Sequence, residues 1–540
     1  MPSLSTANHQ GRAPQIHIPR DYNAAHDLVE RNLAAGRSGK IAYIDDAGSY
    51  TFGDLAERVN RCANALVGLG FRAEERVLMC HLDTIDFPAV FLGAIKAGIV
   101  PIAVNTLLTN ADYDYMLRDS RARGLVVSAP LLPEFAPILS KHPHLSHVIV
   151  SDSGGASSGA GGERVAGAHS SLAVLMAAAS TSFTAAETTC DDVCFWLYSS
   201  GSTGSPKGTV HSHASLIQTA ELYARPILGI SADDVVFSAA KLFFAYGLGN
   251  SLTFPLAVGA TTVLMAERPT PPAVFSRLKK HQPTIFYGVP TLYAGLLAHA
   301  ELPRRDELAL RCCTSAGEAL PAEIARRWSE RFGVDILDGI GSTEMLHIFL
   351  SNRPGAVRAS TTGQPVPGYE LRIVGDDGAP VARGEVGELQ INGPTAAMGY
   401  WNNRDKTRDM FQGPWTRSGD KYRIDAEGYY VYCGRSDDML KVGGIYVSPV
   451  EVESALITHP AVLEAAVVGR ADDEKLVKPQ AYVVLKAGHQ GSPALADELR
   501  QHVKERLAPY KYPRWIEFID ELPKTATGKI QRFKLRSRTS

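Results

Sequence analysis

Short apolar runs alternate with amphipathic segments from residue 40 to residue 104, and this alternation restricts the fold more than any other feature of the chain. Residues 40–44 read as a strand, 51–69 as a helix, 76–80 as a buried strand, 87–96 as a second helix and 99–104 as a third strand. Within 51–69 the apolar positions Leu55, Val59, Cys62, Ala63 and Leu66 keep a helical period, and Gly70 suits a left-handed stop. Strand–helix repetition of this kind predicts an α/β architecture with parallel strands. At 540 residues the chain exceeds the ~250–300 at which one core stops growing, so more than one domain is expected.

The texture changes twice further on. Residues 362–393, TGQPVPGYELRIVGDDGAPVARGEVGELQING, are dense in Gly, Pro and Asp and predict short strands and turns, a smaller β-rich subdomain. Past residue 434, segments 447–457 and 494–507 read as helices and 463–469 and 480–485 as strands. The expected division is a large N-terminal domain, 1–433, of parallel α/β sheets plus the β-rich part, and a small mobile α+β domain, 434–540. Residues 151–162, SDSGGASSGAGG, read as an exposed, mobile surface loop. There is no internal repeat.

Bulk properties exclude several classes. A formal net charge of −2 argues against nucleic-acid binding driven by overall electrostatics. The seven cysteines are scattered, and the C-x3-C pair Cys190 and Cys194 has no second ligand pair to complete a zinc site. The first fifteen residues lack the basic and apolar blocks of a signal peptide, and no apolar stretch approaches the ~20 residues of a membrane helix. The cytoplasm is the expected location, with no membrane and no nucleic acid among the partners.

The sharpest local signal is SSGSTGSPKG, residues 199–208. Ser199, Ser200, Gly201, Ser202, Thr203 and Gly204 offer backbone N–H groups and hydroxyls to an oligophosphate, and Lys207 adds a cation. G-x4-G-K-[ST] fails at every register, so this is not a Walker A loop. Thr343 and Glu344 pair a hydroxyl for phosphate with a carboxylate for Mg2+, a hard cation that takes oxygen ligands and substrate phosphates. Asp420 can accept from both ribose hydroxyls, although an aspartate after Ser-Gly is by itself more often a turn residue.

These stretches together resemble the adenylate-forming (AMP-binding) superfamily of acyl-CoA synthetases, peptide-synthetase adenylation domains and luciferases. Residues 199–208 resemble its phosphate loop, and SAGEAL, residues 315–320, the segment against adenine. DGIGSTE, residues 338–344, resembles the aromatic-Gly-x-Thr-Glu motif, with Ile340 where an aromatic is usual. WTRSGD, residues 415–420, resembles the ribose motif, GRSDDMLKVGG, residues 434–444, the interdomain hinge, and PKTATGK, residues 523–529, the catalytic-lysine loop. The resemblance covers the chain from about residue 25. It implies an ATP site that adds Ala316, Gly317, Glu318, Asp338, Gly339, Ile340, Ser342 and Arg435 to the residues above. It makes Lys529, Thr343 and Glu344 catalytic, with Glu344 also holding Mg2+, Asp437 the hinge, and Lys441, Gly443 and Gly444 the wall of a thiol tunnel. Lys529 would offset the repulsion between substrate carboxylate and α-phosphate, a physically sound role for a positioned cation.

The same resemblance puts KLFFAYGLGNSL, residues 241–252, on the acyl pocket. Phe243, Phe244 and Tyr246 interleave with Ala245, Gly247 and Gly249, walls and gaps that suit a flat ring. Ala316, Gly341, His347 and Ile348 would form the opposite wall. His347 could cap the ring edge, bond a ring substituent or serve as a satisfied structural histidine. FFAYGLGN and GSTEMLHIF most resemble ligases that couple benzoate to coenzyme A, and more loosely those for hydroxybenzoate. The expected activity is an AMP-forming acid–thiol ligase using ATP, Mg2+ and coenzyme A on benzoate. 4-Hydroxybenzoate as the acid, or a separate carrier protein as acceptor, stays open. A light-emitting oxidase is not excluded by a ring-sized pocket, whereas a non-catalytic relative would be expected to lack Lys529 or Glu344. A lysine acetyltransferase and deacetylase acting on Lys529, and a homodimer, complete the expected partners.

Overall fold

The computed structural model describes residues 2–152, 169–201, 204–436, 438–442, 445–472, 476–524 and 530–538. The sequence between residues 40 and 104 folds as its pattern requires. Thr51 caps the helix Phe52–Gly68, its hydroxyl accepting from the Asp54 N–H at 3.1 Å while the Asp54 carboxylate accepts from the Thr51 N–H at 2.8 Å. Past the helix, Gly70 takes φ +85°, the left-handed conformation for which glycine is suited. Strand Arg76–Cys80 lies parallel to both Val100–Ala103 and Gly124–Ser128.

Two large sheets result. The first runs, in spatial order, Gly399–Tyr400, Gly204–Ser212, Val193–Gly201, Val100–Ala103, Arg76–Cys80, Gly124–Ser128, His147–Ser151 and Ser170–Ser171. The second runs Gln364–Pro365, Ile348–Ser351, Ile336–Gly341, Cys312–Ser315, Ile285–Gly288, Val235–Ser238, Thr261–Val263, Ile41–Ile44 and Ser49–Thr51. Their centres are parallel; both ends of the second sheet and the Gly399–Tyr400 end of the first are antiparallel, while Ser170–Ser171 closes the first sheet in parallel. One apolar cluster takes side chains from both sheets and from the helices Phe52–Gly68 and Asp86–Lys96, the latter buried at every position. A third, antiparallel sheet built on Glu370–Val374, Gly387–Asn392, Trp415–Ile424 and Tyr430–Arg435 is the β-rich part read from residues 362–393.

A small C-terminal α+β domain follows. Its sheet is Val462–Ala471, Val477–Leu485 and Trp515–Phe518, and its core clusters draw only on residues from Leu440 to Leu535. The helix expected over 447–457 begins at Pro449, because proline suits the first turn and the Ser448 hydroxyl caps it; Val447 ends the strand Ile445–Val447 instead. The Gly/Ser-rich stretch starts on a buried strand end, Ser151, and its residues 153–162 lie outside the described residues. Among the described residues, no helix is long and apolar enough to cross a membrane.

Gly93 sets how closely the two buried helices approach. A Cβ there would stand 2.6 Å from Cys62 Cβ and 3.0 Å from the Val59 carbonyl. Gly93→Ala gains about 1 kcal/mol of helix propensity but forces backbone apart at a cost of about 1–3 kcal/mol. The clash wins, and the variant is expected to melt below the parent in a thermal scan. An equal or higher midpoint would show that the helices part freely.

Candidate active site

The segment read as a phosphate loop is the tip of an antiparallel hairpin. Ser199 is opposite Lys207 and Gly201 opposite Gly204, so strand pairing continues almost to the turn. Ser202 and Thr203 lie outside the described residues, and Ser200, Gly201 and Gly204 are described through their backbones alone. The far strand of the hairpin carries further connections. His211 Nε2 donates to the Thr343 carbonyl at 2.8 Å, and Thr209 pairs with Tyr400. The Ala397 N–H donates to the Glu344 carbonyl at 2.8 Å.

These links bring Lys207, Thr343 and Glu344 together at the hairpin tip. Glu344 Oε1 accepts from Ser199 Oγ at 3.3 Å and from the Tyr400 hydroxyl at 2.7 Å. Lys207 Nζ donates to the Tyr400 oxygen at 3.4 Å. Burial lowers the Lys207 pKa, and the Glu344 charge opposes that shift. Among the described residues there is no group of three or more His, Cys, Asp or Glu side chains that could hold a metal. One carboxylate beside the hairpin tip is the donor set expected for a cation that arrives with its phosphates and waters, and Mg2+ fits it.

The residues expected at the nucleotide lie on and beside neighbouring strand ends. Asp338 and Gly339 lie on Ile336–Gly341; Asp338 Oδ1 is sealed and without a hydrogen-bond partner, and burial raises its carboxyl well above the usual range. That orphaned acceptor suits an exocyclic amine. Ile340 is half-buried against the core, and Ser342 Oγ accepts from the Met345 N–H at 3.1 Å. Gly317 is exposed with φ +94° beside the buried Ala316. Asp420 is buried; its Oδ1 accepts from Arg435 at 3.3 Å and from the Tyr432 hydroxyl at 3.5 Å. Glu318, expected beside adenine, reaches the small domain: its Oε1 accepts from the Ile530 N–H at 3.0 Å. Arg532 Nη2 donates to both carboxylate oxygens of Glu453, at 2.9 and 2.8 Å, and Asp438 pairs with Arg536. Lys529, Asp437, Gly443 and Gly444 lie outside the described residues, and Lys441 is described through its backbone alone.

On the acyl side, Phe244, Ala245 and Tyr246 are half-buried between buried neighbours, while Phe243 turns into the core. Tyr246 OH and Thr314 Oγ1 share a hydrogen bond of 2.5 Å. The glycines are close-packing positions: a Cβ at Gly247 would meet the Lys241 carbonyl at 2.0 Å, at Gly249 the His347 ring at 2.3 Å, and at Gly341 the His347 carbonyl at 2.5 Å. His347 is buried and bonded within the protein. Its Nε2 is shared between the Tyr246 carbonyl at 3.2 Å and Asn250 Oδ1 at 3.3 Å, with Nδ1 sealed and unpartnered. Tyr223, Tyr246 and Phe254 surround its ring at 5.5, 5.5 and 4.5 Å. Ile348 packs against Gly339, beneath the strand. Tyr400, Tyr223, Asn250 and Thr314 escaped the sequence reading. Tyr223 and Asn250 sit on π-helical turns, Ala220–Leu228 and Gly249–Thr253, where an α-helical period gives no guide.

A hairpin tip carrying Lys207, a lone carboxylate beside it, a sealed acceptor on a neighbouring strand and an aromatic cluster are the features expected of a nucleotide-dependent activator of small acids. The chain belongs to the AMP-binding enzyme family, whose pattern it matches over residues 30–401, with the family's C-terminal domain over residues 451–529. It is 66% identical over 539 residues to a benzoate–CoA ligase of Thauera aromatica, covering 99% of this chain and 100% of that one. Among solved structures, a benzoate CoA ligase from Burkholderia xenovorans LB400 superposes with a TM-score of 0.88 at 57% identity, covering 95% of this chain and 100% of that one. An anthranilate CoA ligase in complex with anthranoyl-AMP superposes at 0.91 and 45% identity, covering 97% and 98%.

Two histidines beside the site, His211 and His347, and a third, His213, next to the helix Ala24–Ala34, are buried neutral. Burial pushes His211 and His213 down to about 4 and His347 to about 3. The unfolded chain, with histidine pKa near ~6.5, binds protons that the folded state refuses. Stability is therefore full above that value and lost as pH falls from it toward 4 and then 3, by about 1.4 kcal/mol per pH unit per histidine. Urea midpoints measured from pH 8 to pH 5 should decline below about 6.5, and each His→Gln change should flatten the decline. A flat profile in the parent would mean that these rings are not buried neutral.

Proposed function

We propose that this chain is an AMP-forming ligase that joins benzoate to coenzyme A at the expense of ATP, the observation carrying it being the aromatic cluster of Tyr246 and His347, with His347 three residues past the Glu344 that bonds Ser199 of the hairpin. In the first half-reaction the benzoate carboxylate attacks the α-phosphorus of ATP and pyrophosphate leaves, giving benzoyl-adenylate. In the second the coenzyme A thiol attacks the acyl carbon and AMP leaves. Glu344 would hold Mg2+, which when bound would supply positive charge to the phosphates.

The chain's own residues divide the remaining work. The hairpin backbone with Ser199, Ser200, Gly201, Ser202, Thr203, Gly204 and Lys207 binds the phosphates, and Thr343 adds a hydroxyl. Asp338 receives the adenine amine beside Ala316, Gly317, Gly339, Ile340 and Ser342, and Asp420 with Arg435 receives the ribose. The parts act in two units, 1–433 and 434–540; the separate cores past Leu440 support this boundary. Lys529 bridges carboxylate and α-phosphate in the first step. The hydrogen bond from Ile530 to Glu318, which ties the C-terminal segment to the nucleotide side, supports that placement. Rotation about Asp437 then brings Lys441, Gly443 and Gly444 to the site for the thiol. A lysine acetyltransferase acting on Lys529 would cancel its charge and stop the first step. The setting is the cytoplasm, where ATP and coenzyme A are supplied.

A panel of acids tests the substrate. Benzoate should exceed octanoate and 4-hydroxybenzoate in kcat/KM, because the wall has an apolar body and its tyrosine hydroxyl is already bonded to Thr314. The nucleotide products should be AMP and pyrophosphate. ADP would overturn the assignment, and a preference for 4-hydroxybenzoate would make His347 Nδ1 the partner of its hydroxyl.

The half-reactions test Lys529. Lys529→Ala should lower benzoate-dependent pyrophosphate release by about 10²–10³, while thioester formation from supplied benzoyl-adenylate stays within a few-fold of the parent. Near-normal adenylation would reduce Lys529 to a surface charge.

A further inference from the structure

Tyr400 stands between the two charged side chains of the phosphate site. Its hydroxyl donates to Glu344 Oε1 at 2.7 Å, and the same oxygen receives Lys207 Nζ at 3.4 Å. The ammonium also lies 4.6 Å from the Tyr400 ring centroid. Tyr400 is only 6% exposed, and its place is fixed from three sides. Its backbone pairs with Thr209 on the hairpin, its N–H donates to Thr407 Oγ1 at 3.0 Å, and its ring meets Phe411 edge-on at 5.7 Å. Both hydrogen bonds to the Glu344 carboxylate fall on Oε1, so among the described residues Oε2 carries none.

Two opposite charges this close, on a partly buried surface, attract strongly when nothing keeps them apart. A direct Lys207–Glu344 pair would withdraw the cation from phosphate and the carboxylate from metal together. We propose that Tyr400 is a positioning residue for the Mg2+–triphosphate: its hydroxyl anchors Glu344 Oε1 and spaces Lys207 from the carboxylate, leaving Oε2 to the metal and the ammonium to phosphate oxygens. This rests on the reading of the hairpin and Glu344 as the triphosphate and Mg2+ site. The ring keeps Lys207 through a cation–π contact, so the oxygen alone makes the difference between Tyr and Phe.

The experiment is ATP binding to the whole protein, measured by calorimetry over a series of Mg2+ concentrations, for the parent and Tyr400→Phe. Losing one hydrogen bond to a charged group should weaken ATP binding about 10- to 100-fold at low Mg2+. High Mg2+, competing for the carboxylate, should recover most of it. The KM for benzoate and the melting temperature should stay near the parent values, which a general structural defect would not allow. Adding Lys207→Met to Tyr400→Phe removes the competing cation; the Mg2+ midpoint should return to the parent value although ATP binds more weakly throughout. The same Mg2+ midpoint in Tyr400→Phe as in the parent would overturn the proposal. A parent whose ATP binding ignores Mg2+ would overturn the site reading beneath it.

Discussion

Strand pairing at one edge of the first large sheet holds the polar half of the site together. Val193–Gly201 extends the parallel core beside Val100–Ala103, and Gly204–Ser212 folds back antiparallel upon it. Parallel strands are buried on both faces and tolerate little slippage, because a one-residue shift turns every side chain to the opposite face. The hairpin inherits that register, and through it Lys207, the Thr343 carbonyl and Tyr400 acquire fixed positions. Residues separated by almost two hundred positions meet here by backbone geometry, without any tight side-chain fit being needed first.

That origin explains what could be read without coordinates. Periodicity and caps are local, so the helix over 51–69, its stop at Gly70 and the strand at 76–80 were legible from spacing alone. The phosphate segment was legible by composition and resemblance, but as a loop; its pairing to Gly201 and Gly204 is a long-range property that no local pattern carries. Tyr400 gave no signal for the same reason, since its significance arises only when Gly399–Tyr400 joins the hairpin edge. Glu344 was read as a metal ligand, yet nothing in GSTE indicates which of its oxygens is already engaged.

The acyl side obeys a different constraint, close packing. Gly247, Gly249 and Gly341 each bring backbone or ring atoms to within what a single Cβ would occupy. The sequence reading took the first two as gaps for a substrate ring. The structure uses them to seat the protein's own atoms: Gly249 admits the His347 ring and Gly247 the Lys241 carbonyl. The exposed part of this wall is thus the half-buried 244–246 segment, and the glycines only seat what lies behind it.

Rigidity on this side has a chemical consequence. A carboxylate attacking phosphorus needs its approach fixed, and a ring held by preset walls loses little further freedom on reaching the reactive geometry. A flexible alkyl chain in the same space would have to give up its own rotamers at each bond. His347 stands among these rings as a neutral one: burial pushes it down to about 3, so no full charge sits within the aromatic cluster. The polar half, by contrast, keeps its charges and spaces them with hydroxyls, from Ser199 and Tyr400 on one oxygen of Glu344. One sheet edge thereby carries ionic chemistry and one helical turn apolar recognition, and they meet at the strand Ile336–Gly341, whose carboxyl end leads directly into Thr343 and Glu344. The hairpin is tied to the segment after that strand through His211 with the Thr343 carbonyl and Ser199 with Glu344, so the proposed positions of acid and nucleotide would be aligned by the fold itself.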